Sequence, residues 1–214
     1  MQLDIKIVAS DDNIFPKRSR TGVYSTNIMC SECDARIGKE FDEPAFLTLK
    51  REKMKPLFDD AVDVANKFYD ANSEIIAKFI ISMIWRASCS DHEFFGEVRL
   101  GPYEEIFRQY INREREFIFG PSEESCIVLM EYDEIDVPIL SPRYCKFEGI
   151  KFLIFYFSNF MAIVKVDKRR AIGTFRDASL SPDRPVFSVL TSWRASNERA
   201  FMANLVQFTK HRVY

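Results

Sequence analysis

The residues of this chain that are best suited to chemistry lie close to its start. They carry carboxylate, carboxamide and thiol groups, and they are Asp12, Asn13, Asn27, Cys30, Cys33 and Asp34. Cleavage of a phosphodiester needs a base that takes a proton from water and a cation that stabilises charge on the phosphate. Asp12 and Asp34 could supply oxygen ligands to Mg²⁺ or Mn²⁺. Cys30-x-x-Cys33 has the spacing of half a tetrahedral zinc site.

A general base is missing from this group of residues. Asn13 follows Asp12 directly, and a carboxamide does not accept a proton near neutral pH. The two histidines of the chain, His92 and His211, lie far along the sequence. The residues by themselves leave two interpretations open. Asp12 and Asn13 belong to a metal site without its base, or they form an ordinary turn while Asp34 caps a helix.

The order of these residues resembles the HNH (ββα-metal, or His-Me finger) endonucleases. In that family an Asp-His pair begins the motif, a loop with basic residues follows, and an Asn precedes Cys-x-x-Cys at the start of a helix. Asp12 and Asn27 stand at the corresponding places, and Cys30-x-x-Cys33 follows with Asp34 next. The resemblance implies a small ββα subdomain in which Asn13 and Asn27 occupy the catalytic positions.

The resemblance also implies how this segment would contact its ligands. Asp12 and Asp34 would hold a Mg²⁺ or Mn²⁺ ion, and the loop between the two strands would face nucleic-acid phosphates. The basic residues of this loop are Lys17, Arg18 and Arg20. A solvated surface loop explains three cations equally well.

Two departures from the family weaken the transfer of nuclease activity. Asn13 replaces the histidine, and residues 1–10 contain no first cysteine pair. Cys89 and His92 offer a Cys-x-x-His that could complete a zinc site with Cys30-x-x-Cys33. An HNH-derived hairpin without metal, held by packing, is the other interpretation.

The later part of the chain carries a second, less specific resemblance. Residues 79–88 and 92–105 resemble segments of uncharacterised bacterial and phage proteins in which an HNH-like zinc segment precedes a larger domain. That resemblance implies a phage-defence setting. With the missing histidine it predicts an HNH-derived, catalytically silent protein that binds a protein partner or nucleic acid. The alternative is an active metal-dependent DNA endonuclease, or one inactivated at Asn13.

Composition limits the classes of function. The 214 residues carry a formal net charge of −2 with a pI near 5.8, which argues against a strongly basic nucleic-acid binder. Five cysteines at irregular spacing predict a reducing cytoplasm, and no apolar stretch reaches membrane-spanning length. Cys126 and Cys145 lie in strand-like runs and are expected to be small buried residues. Twenty phenylalanines predict an aromatic-rich core and leave room for a partner-binding patch.

Hydrophobic patterning predicts a small N-terminal subdomain over residues 1–49. Its strands would cover residues 3–9 and 26–29, on either side of the basic loop. A short helix would begin near Cys33 and end before Pro44, because proline disrupts the interior of a helix.

Residues 50–214 are predicted to form an α+β domain with a mainly antiparallel sheet. Its helices would end by about residue 115, and its strands would lie between about residues 125 and 190. An amphipathic helix over residues 194–211 would close the chain.

Local signals mark individual elements of this larger domain. Residues 58–69 have helical spacing, Asn72 is placed to cap a stronger helix, and Gly101-Pro102 is placed to open a third. Ser158-Asn159 separates two apolar runs and predicts a hairpin. The basic cluster at residues 165–170 is either a phosphate contact or a solvated turn.

Overall fold

The computed structural model describes residues 5–8, 17–19, 25, 27–50, 65–68, 70–123, 126–134 and 137–200. It contains both helices and a mixed β-sheet, so the predicted α+β class is confirmed. Helices from the first half of the chain pack against one face of the main sheet. Strands from the second half of the chain make up most of that sheet.

A long helical segment begins at the cysteine pair. Helix α1 spans Ser31–Ile37, a π-helical turn continues over Gly38–Asp42, and α2 spans Glu43–Lys50. The prediction that this helix ends before Pro44 is wrong. Pro44 stands in the first turn of α2, directly after the π-helical turn, and proline is tolerated in a first turn. One face of the segment is buried, and its residues are Ile37, Phe41, Ala45 and Leu49.

Helix α3 spans Ser73–Ser88 and lies in the main apolar core. Its predicted cap is confirmed. The side-chain oxygen of Asn72 accepts hydrogen bonds from the backbone N–H groups of Glu74 at 2.9 Å and Ile75 at 3.1 Å. The isoleucines that recur at every fourth position of its buried face are Ile76, Ile80 and Ile84.

Replacing Asn72 by alanine is expected to lower the free energy of unfolding by about 1 kcal/mol, because the first turn of α3 loses its side-chain acceptor. Urea denaturation of the full chain measures this change. Asn72→Asp is the matched control, since it keeps an oxygen at the cap and should match the wild type. An alanine variant as stable as the aspartate variant would contradict the assigned role.

Helix α4 spans Pro102–Ile111, and a short 3-10 helix over Glu93–Phe95 precedes it. Gly101 has a φ of 56°, a left-handed conformation that glycine adopts without a steric penalty. The predicted start of this helix at Gly101-Pro102 is therefore confirmed. The side chains that α4 buries are Tyr103, Phe107, Tyr110 and Ile111.

The first described strand belongs to a small sheet in which the structure describes three strands. Strand β1 (Ile5–Val8) pairs antiparallel with β2 (Lys17–Ser19) and parallel with β5 (Ile139–Leu140). The strand predicted over residues 3–9 is confirmed at Ile5–Val8, and residues 3, 4 and 9 lie outside the described residues. Its predicted hairpin partner is wrong, because residues 27–29 form a bend. The expected ββα subdomain is not confirmed, since a strand from the second half of the chain completes this sheet.

Six strands form the main sheet within the described part of the chain. They are β3 (Ala65–Phe68), β4 (Ile127–Tyr132), β6 (Arg143–Phe147), β7 (Ile150–Phe157), β8 (Phe160–Lys165) and β9 (Val186–Thr191). Their order is β3-β9-β4-β8-β7-β6. Only β4 and β9 are parallel among these neighbours, so the mainly antiparallel sheet is confirmed. Strands β7 and β8 form the hairpin predicted around Ser158-Asn159.

Side chains of the main sheet alternate between two apolar layers. On one face, Leu153 and Phe155 of β7 belong to the cluster that includes α3 and α4. On the other face, Ile154 packs in a cluster with Phe175 of α5 (Gly173–Ala178) and Trp193. Because both faces are covered, the central strands are apolar on both sides. The predicted aromatic-rich core is present.

The described residues cover only part of the two helices predicted over residues 58–69 and 194–211. The helix expected over residues 58–69 is wrong at Ala65–Phe68, where pairing with β9 and burial of Phe68 outweigh the local pattern. Of the helix expected over residues 194–211, the structure describes a helical turn at residues 197–200. Residues 201–214 lie outside the described residues. The boundary at residue 50 stays a prediction, although buried residues of α1 and α2 share a cluster with α3.

Candidate functional site

The two thiols of the Cys30-x-x-Cys33 motif lie on the surface at the start of α1. Cys30 is the N-cap residue, and its sulfur accepts a hydrogen bond from the backbone N–H of Cys33 at 3.4 Å. Its carbonyl accepts another from the N–H of Asp34 at 3.0 Å. Both thiols and the Asp34 side chain are exposed. The motif therefore begins the helix, slightly before the predicted start near Cys33.

The two thiols have different pKa values. The backbone N–H and the thiol of Cys33 both donate to the sulfur of Cys30, and they lower the pKa of Cys30. The same contact between the thiols raises the pKa of Cys33. Since the thiolate is the form that attacks electrophiles and binds metal ions, Cys30 is the more reactive of the two.

The other residues of the predicted nuclease site are only partly described. Asn27 is exposed and lies in the bend that precedes α1. Lys17 and Arg18 lie in strand β2, so the prediction that they belong to the loop between the two hairpin strands is wrong. The predicted residues outside the described part of the chain are Asp12, Asn13 and Arg20.

The proposed zinc ligands are not brought together. Among the residues that the structure describes, no group of three or more His, Cys, Asp or Glu side chains is placed to hold a metal ion. Nδ1 of His92 instead accepts a hydrogen bond from the backbone N–H of Phe94 at 3.1 Å. Cys89 is exposed, but partial desolvation of its sulfur raises the pKa of the thiol, which disfavours the metal-binding thiolate. Metal binding at Cys30-x-x-Cys33 or at Asp34 stays a prediction.

Much of the basic cluster at residues 165–170 is committed to contacts within the fold. Lys165 is fully buried, and its ammonium group donates to the backbone carbonyls of Ser122 at 3.0 Å and Asp167 at 2.7 Å. The guanidinium of Arg169 contacts the Asp167 carboxylate at 2.6 Å and holds the pKa of that carboxyl well below its usual range. The expectation that Lys165 contributes to a phosphate contact is therefore wrong.

A buried carboxylate connects three strands and a turn of the main sheet. Glu131 of β4 is fully buried. Its oxygens accept hydrogen bonds from Asn66 of β3 at 2.9 Å and Ser188 of β9 at 2.8 Å. A third comes from Asn159 of the β7–β8 turn at 2.8 Å. These contacts give Glu131 a structural role that its sequence neighbours do not reveal.

A second polar cluster lies where the last described turn of the chain meets the sheet. The carboxylate of Glu198 accepts hydrogen bonds from Arg143 at 2.6 Å and from the Tyr156 hydroxyl at 3.3 Å. Arg143 also donates to that hydroxyl at 3.1 Å. Burial raises the pKa of Tyr156, so the hydroxyl stays protonated and can donate. These contacts attach residues 197–200 to strands β6 and β7.

Replacing Arg143 by methionine is expected to release this turn from the sheet. Glu198 is 9% exposed in its side chain and would lose its cationic partner, so amide hydrogen exchange at residues 197–200 should rise about tenfold or more. Arg194→Met is the matched control, because Arg194 is 82% exposed and lies 3.9 Å from Glu134. Unchanged exchange in the Arg143 variant would contradict this attachment.

An apolar pocket lies between the β6–β7 turn and the start of α5. Its volume is about 230 Å³. We call it the aromatic pocket, and it is lined by Phe147, Glu148, Ile150, Phe152, Ile172, Gly173, Thr174 and Phe175. The ring centroid of Phe175 lies 4.6 Å from that of Phe147 and 4.6 Å from that of Phe152. The three rings form one continuous apolar wall.

Two large apolar side chains on the rim of the aromatic pocket are exposed to solvent. Phe147 is 40% exposed and Ile172 is 49% exposed. A tight turn places Phe147 there, since Glu148 and Gly149 have φ values of 50° and 80° and reverse the chain between β6 and β7. The pocket could not be predicted from the sequence, because its walls come from elements that β8 separates along the chain. In the sequence, the high number of phenylalanines was the feature that pointed to an aromatic binding surface.

Comparisons of the chain with protein-family models, curated proteins and solved structures found no match. The described part of the chain contains no helix that is both long enough and apolar enough to cross a membrane. Function therefore has to be inferred from the chemistry of the candidate sites themselves.

Proposed function

We propose that this protein binds a partner protein through the aromatic pocket, and that it derives from an HNH nuclease whose catalytic site is silent. The proposal of partner binding rests on the composition and exposure of this pocket. Its wall is aromatic, and its rim exposes Phe147 and Ile172 instead of burying them. Exposed apolar surface beside a concave site is typical of protein interaction sites.

The size of the aromatic pocket supports a single side chain as its occupant. Its volume of about 230 Å³ lies below the roughly 300–1,000 Å³ of sites that hold drug-sized molecules. Interfaces commonly bury an aromatic or aliphatic anchor of one protein in a pocket of the other. The occupant would therefore be one aromatic or branched aliphatic side chain of the partner.

Positive charges beside the pocket favour a partner that carries acidic residues next to its anchoring side chain. Lys168 and Arg170 are exposed, and Arg169 between them donates to the carbonyl of Gly149 at 2.5 Å, within the turn that borders the pocket. Glu148 in the same turn and Asp167, which pairs with Arg169, oppose part of this positive charge. Attraction of this kind mainly raises the association rate, so binding should weaken as salt concentration rises.

Cleavage of nucleic acid is the alternative that the sequence leaves open. Because Asn13 cannot act as a general base, the protein is expected not to cleave DNA in Mg²⁺ or Mn²⁺. Cleavage that is lost when Asp12 and Asp34 are replaced by alanine would establish a nuclease and contradict the silent site.

A matched pair of surface variants tests partner binding at the aromatic pocket. Ile172 at the rim and Ile118 outside the pocket are each 49% exposed, so replacing either by aspartate adds the same charge at equal exposure. The full-length wild type and both variants are used to capture proteins from the source cells, and the captured proteins are quantified by mass spectrometry. We expect one partner to bind the wild type and Ile118→Asp, and to bind Ile172→Asp at least about tenfold more weakly.

Two results would contradict the proposal. One is a set of captured proteins that the Ile172→Asp substitution leaves unchanged. The other is equal loss of a captured protein in both variants while circular dichroism shows both to be folded, since the interaction would then not depend on the pocket.

A further inference from the structure

The Cys30-x-x-Cys33 motif places two thiols on the protein surface, three residues apart at the start of α1. Both are exposed, and the backbone N–H of Cys33 donates to the sulfur of Cys30 at 3.4 Å. The motif begins a helical segment that continues without interruption to Lys50 and is anchored by buried side chains. The position of the Cys30 sulfur beside the backbone N–H of Cys33 is therefore set by the fold.

The other three cysteines lack this arrangement. Cys126 is buried and Cys145 is half-buried, and burial raises the pKa of both thiols. Cys89 is exposed, and its sulfur lies 4.0 Å from the hydroxyl oxygen of Ser88. Within the described residues, no second pair of cysteines lies three residues apart.

We propose that Cys30 and Cys33 form a reversible dithiol–disulfide pair that exchanges with disulfides of low molecular weight, such as oxidised glutathione. This inference goes beyond partner binding and does not rest on it. A Cys-x-x-Cys pair at the start of a helix has the spacing that permits closure of a disulfide, and thiolates are favoured at such positions.

The exchange proceeds in two displacements. The Cys30 thiolate attacks one sulfur of oxidised glutathione, a mixed disulfide forms, and one glutathione leaves as a thiolate. Cys33 then gives up its proton and attacks the sulfur of Cys30, which releases the second glutathione and closes the Cys30–Cys33 bond. The protein loses two electrons and two protons, and one disulfide becomes two thiols. The reverse sequence reduces the protein.

Trapping with oxidised glutathione tests this pair. The full chain is treated with a chelator, incubated with oxidised glutathione, quenched with an alkylating agent and mapped by mass spectrometry. We expect the wild type to form the Cys30–Cys33 disulfide and to retain no glutathione on either residue. The Cys33→Ser variant should instead retain glutathione on Cys30, because the resolving thiol is gone. Cys89 serves as the internal control and should react at least about tenfold more slowly than Cys30.

Three results would overturn the proposal. In the first, the wild type keeps glutathione on Cys30 as the serine variant does, which shows that Cys33 does not resolve the mixed disulfide. In the second, the pair stays reduced under conditions in which Cys89 has already reacted. In the third, the disulfide forms but reduced glutathione does not reopen it while the chain stays folded. Partner capture by the Cys33→Ser variant is unaffected in each case, so this test is independent of the aromatic pocket.

Discussion

Replacing Glu131 by alanine is expected to lower the free energy of unfolding by about 3–5 kcal/mol, the largest effect we predict for a single residue. The substitution removes a fully buried carboxylate that accepts hydrogen bonds from Asn66, Asn159 and Ser188. Each donor that stays buried without an acceptor costs about 1–3 kcal/mol, and the lost side-chain volume adds to that cost. The donors lie on β3, β9 and the β7–β8 turn, so three separate connections weaken at once.

Urea denaturation of the full chain measures the effect, with the midpoint and the slope fitted separately. Glu131→Gln should lose less stability than Glu131→Ala, because it keeps the volume and one acceptor oxygen. Glu97→Ala is a surface control, since Glu97 is exposed and should change stability by less than about 0.5 kcal/mol. An alanine variant of Glu131 with wild-type stability would contradict the structural role of this carboxylate.

Replacing Lys165 by methionine is expected to cost about 2–4 kcal/mol of unfolding free energy. Methionine fills a similar volume, but it cannot donate to the carbonyls of Ser122 and Asp167, which the ammonium group reaches at 3.0 Å and 2.7 Å. Those carbonyls fix the segment that enters β4 and the segment that leaves β8. Thermal or urea unfolding should therefore show a clear loss.

Lys168→Met is the matched control for this substitution. Lys168 belongs to the same basic cluster but is exposed, so its replacement should change stability by less than about 0.5 kcal/mol. Equal stability of the two variants would contradict the interpretation that Lys165 is a structural donor. It would also revive the possibility that the whole cluster serves a ligand.

Elements with strong local signals could be predicted from the sequence. Asn72 followed by isoleucines at every fourth position predicts α3, because capping and one-sided burial both act within the helix itself. Gly101-Pro102 predicts the start of α4 for the same kind of reason. The two apolar runs around Ser158-Asn159 predict the β7–β8 hairpin, whose strands are neighbours in sequence.

Features that depend on distant contacts could not be predicted in this way. Strand β3 forms because Ala65–Phe68 pairs with β9, more than a hundred residues later, and no local pattern encodes that partner. Charged residues such as Glu131 and Lys165 look like surface residues in the sequence, and only the fold brings their buried partners to them. The aromatic pocket likewise exists only after α5 packs against β6 and β7.

The N-terminal segment is the part in which sequence motif and structure diverge most. Cys30-x-x-Cys33 does stand at the start of a helix, as the HNH resemblance implies. Strand β2 at Lys17–Ser19 and the parallel partner β5 do not follow the expected ββα order. HNH ancestry therefore stays a proposal from the sequence motif, and the aromatic pocket supports the proposed partner binding.

Photocrosslinking from the rim of the aromatic pocket tests whether a partner protein binds there. A photoreactive phenylalanine analogue is placed at position 172 in one full-length protein and at position 118 in another, and both are irradiated in the source cells. We expect a defined adduct with one partner protein from position 172 and none from position 118. We also expect the crosslinked partner peptide to carry an aromatic or branched aliphatic residue beside acidic residues. No adduct from position 172, the same adduct from both positions, or an adduct with nucleic acid would contradict partner binding through this pocket.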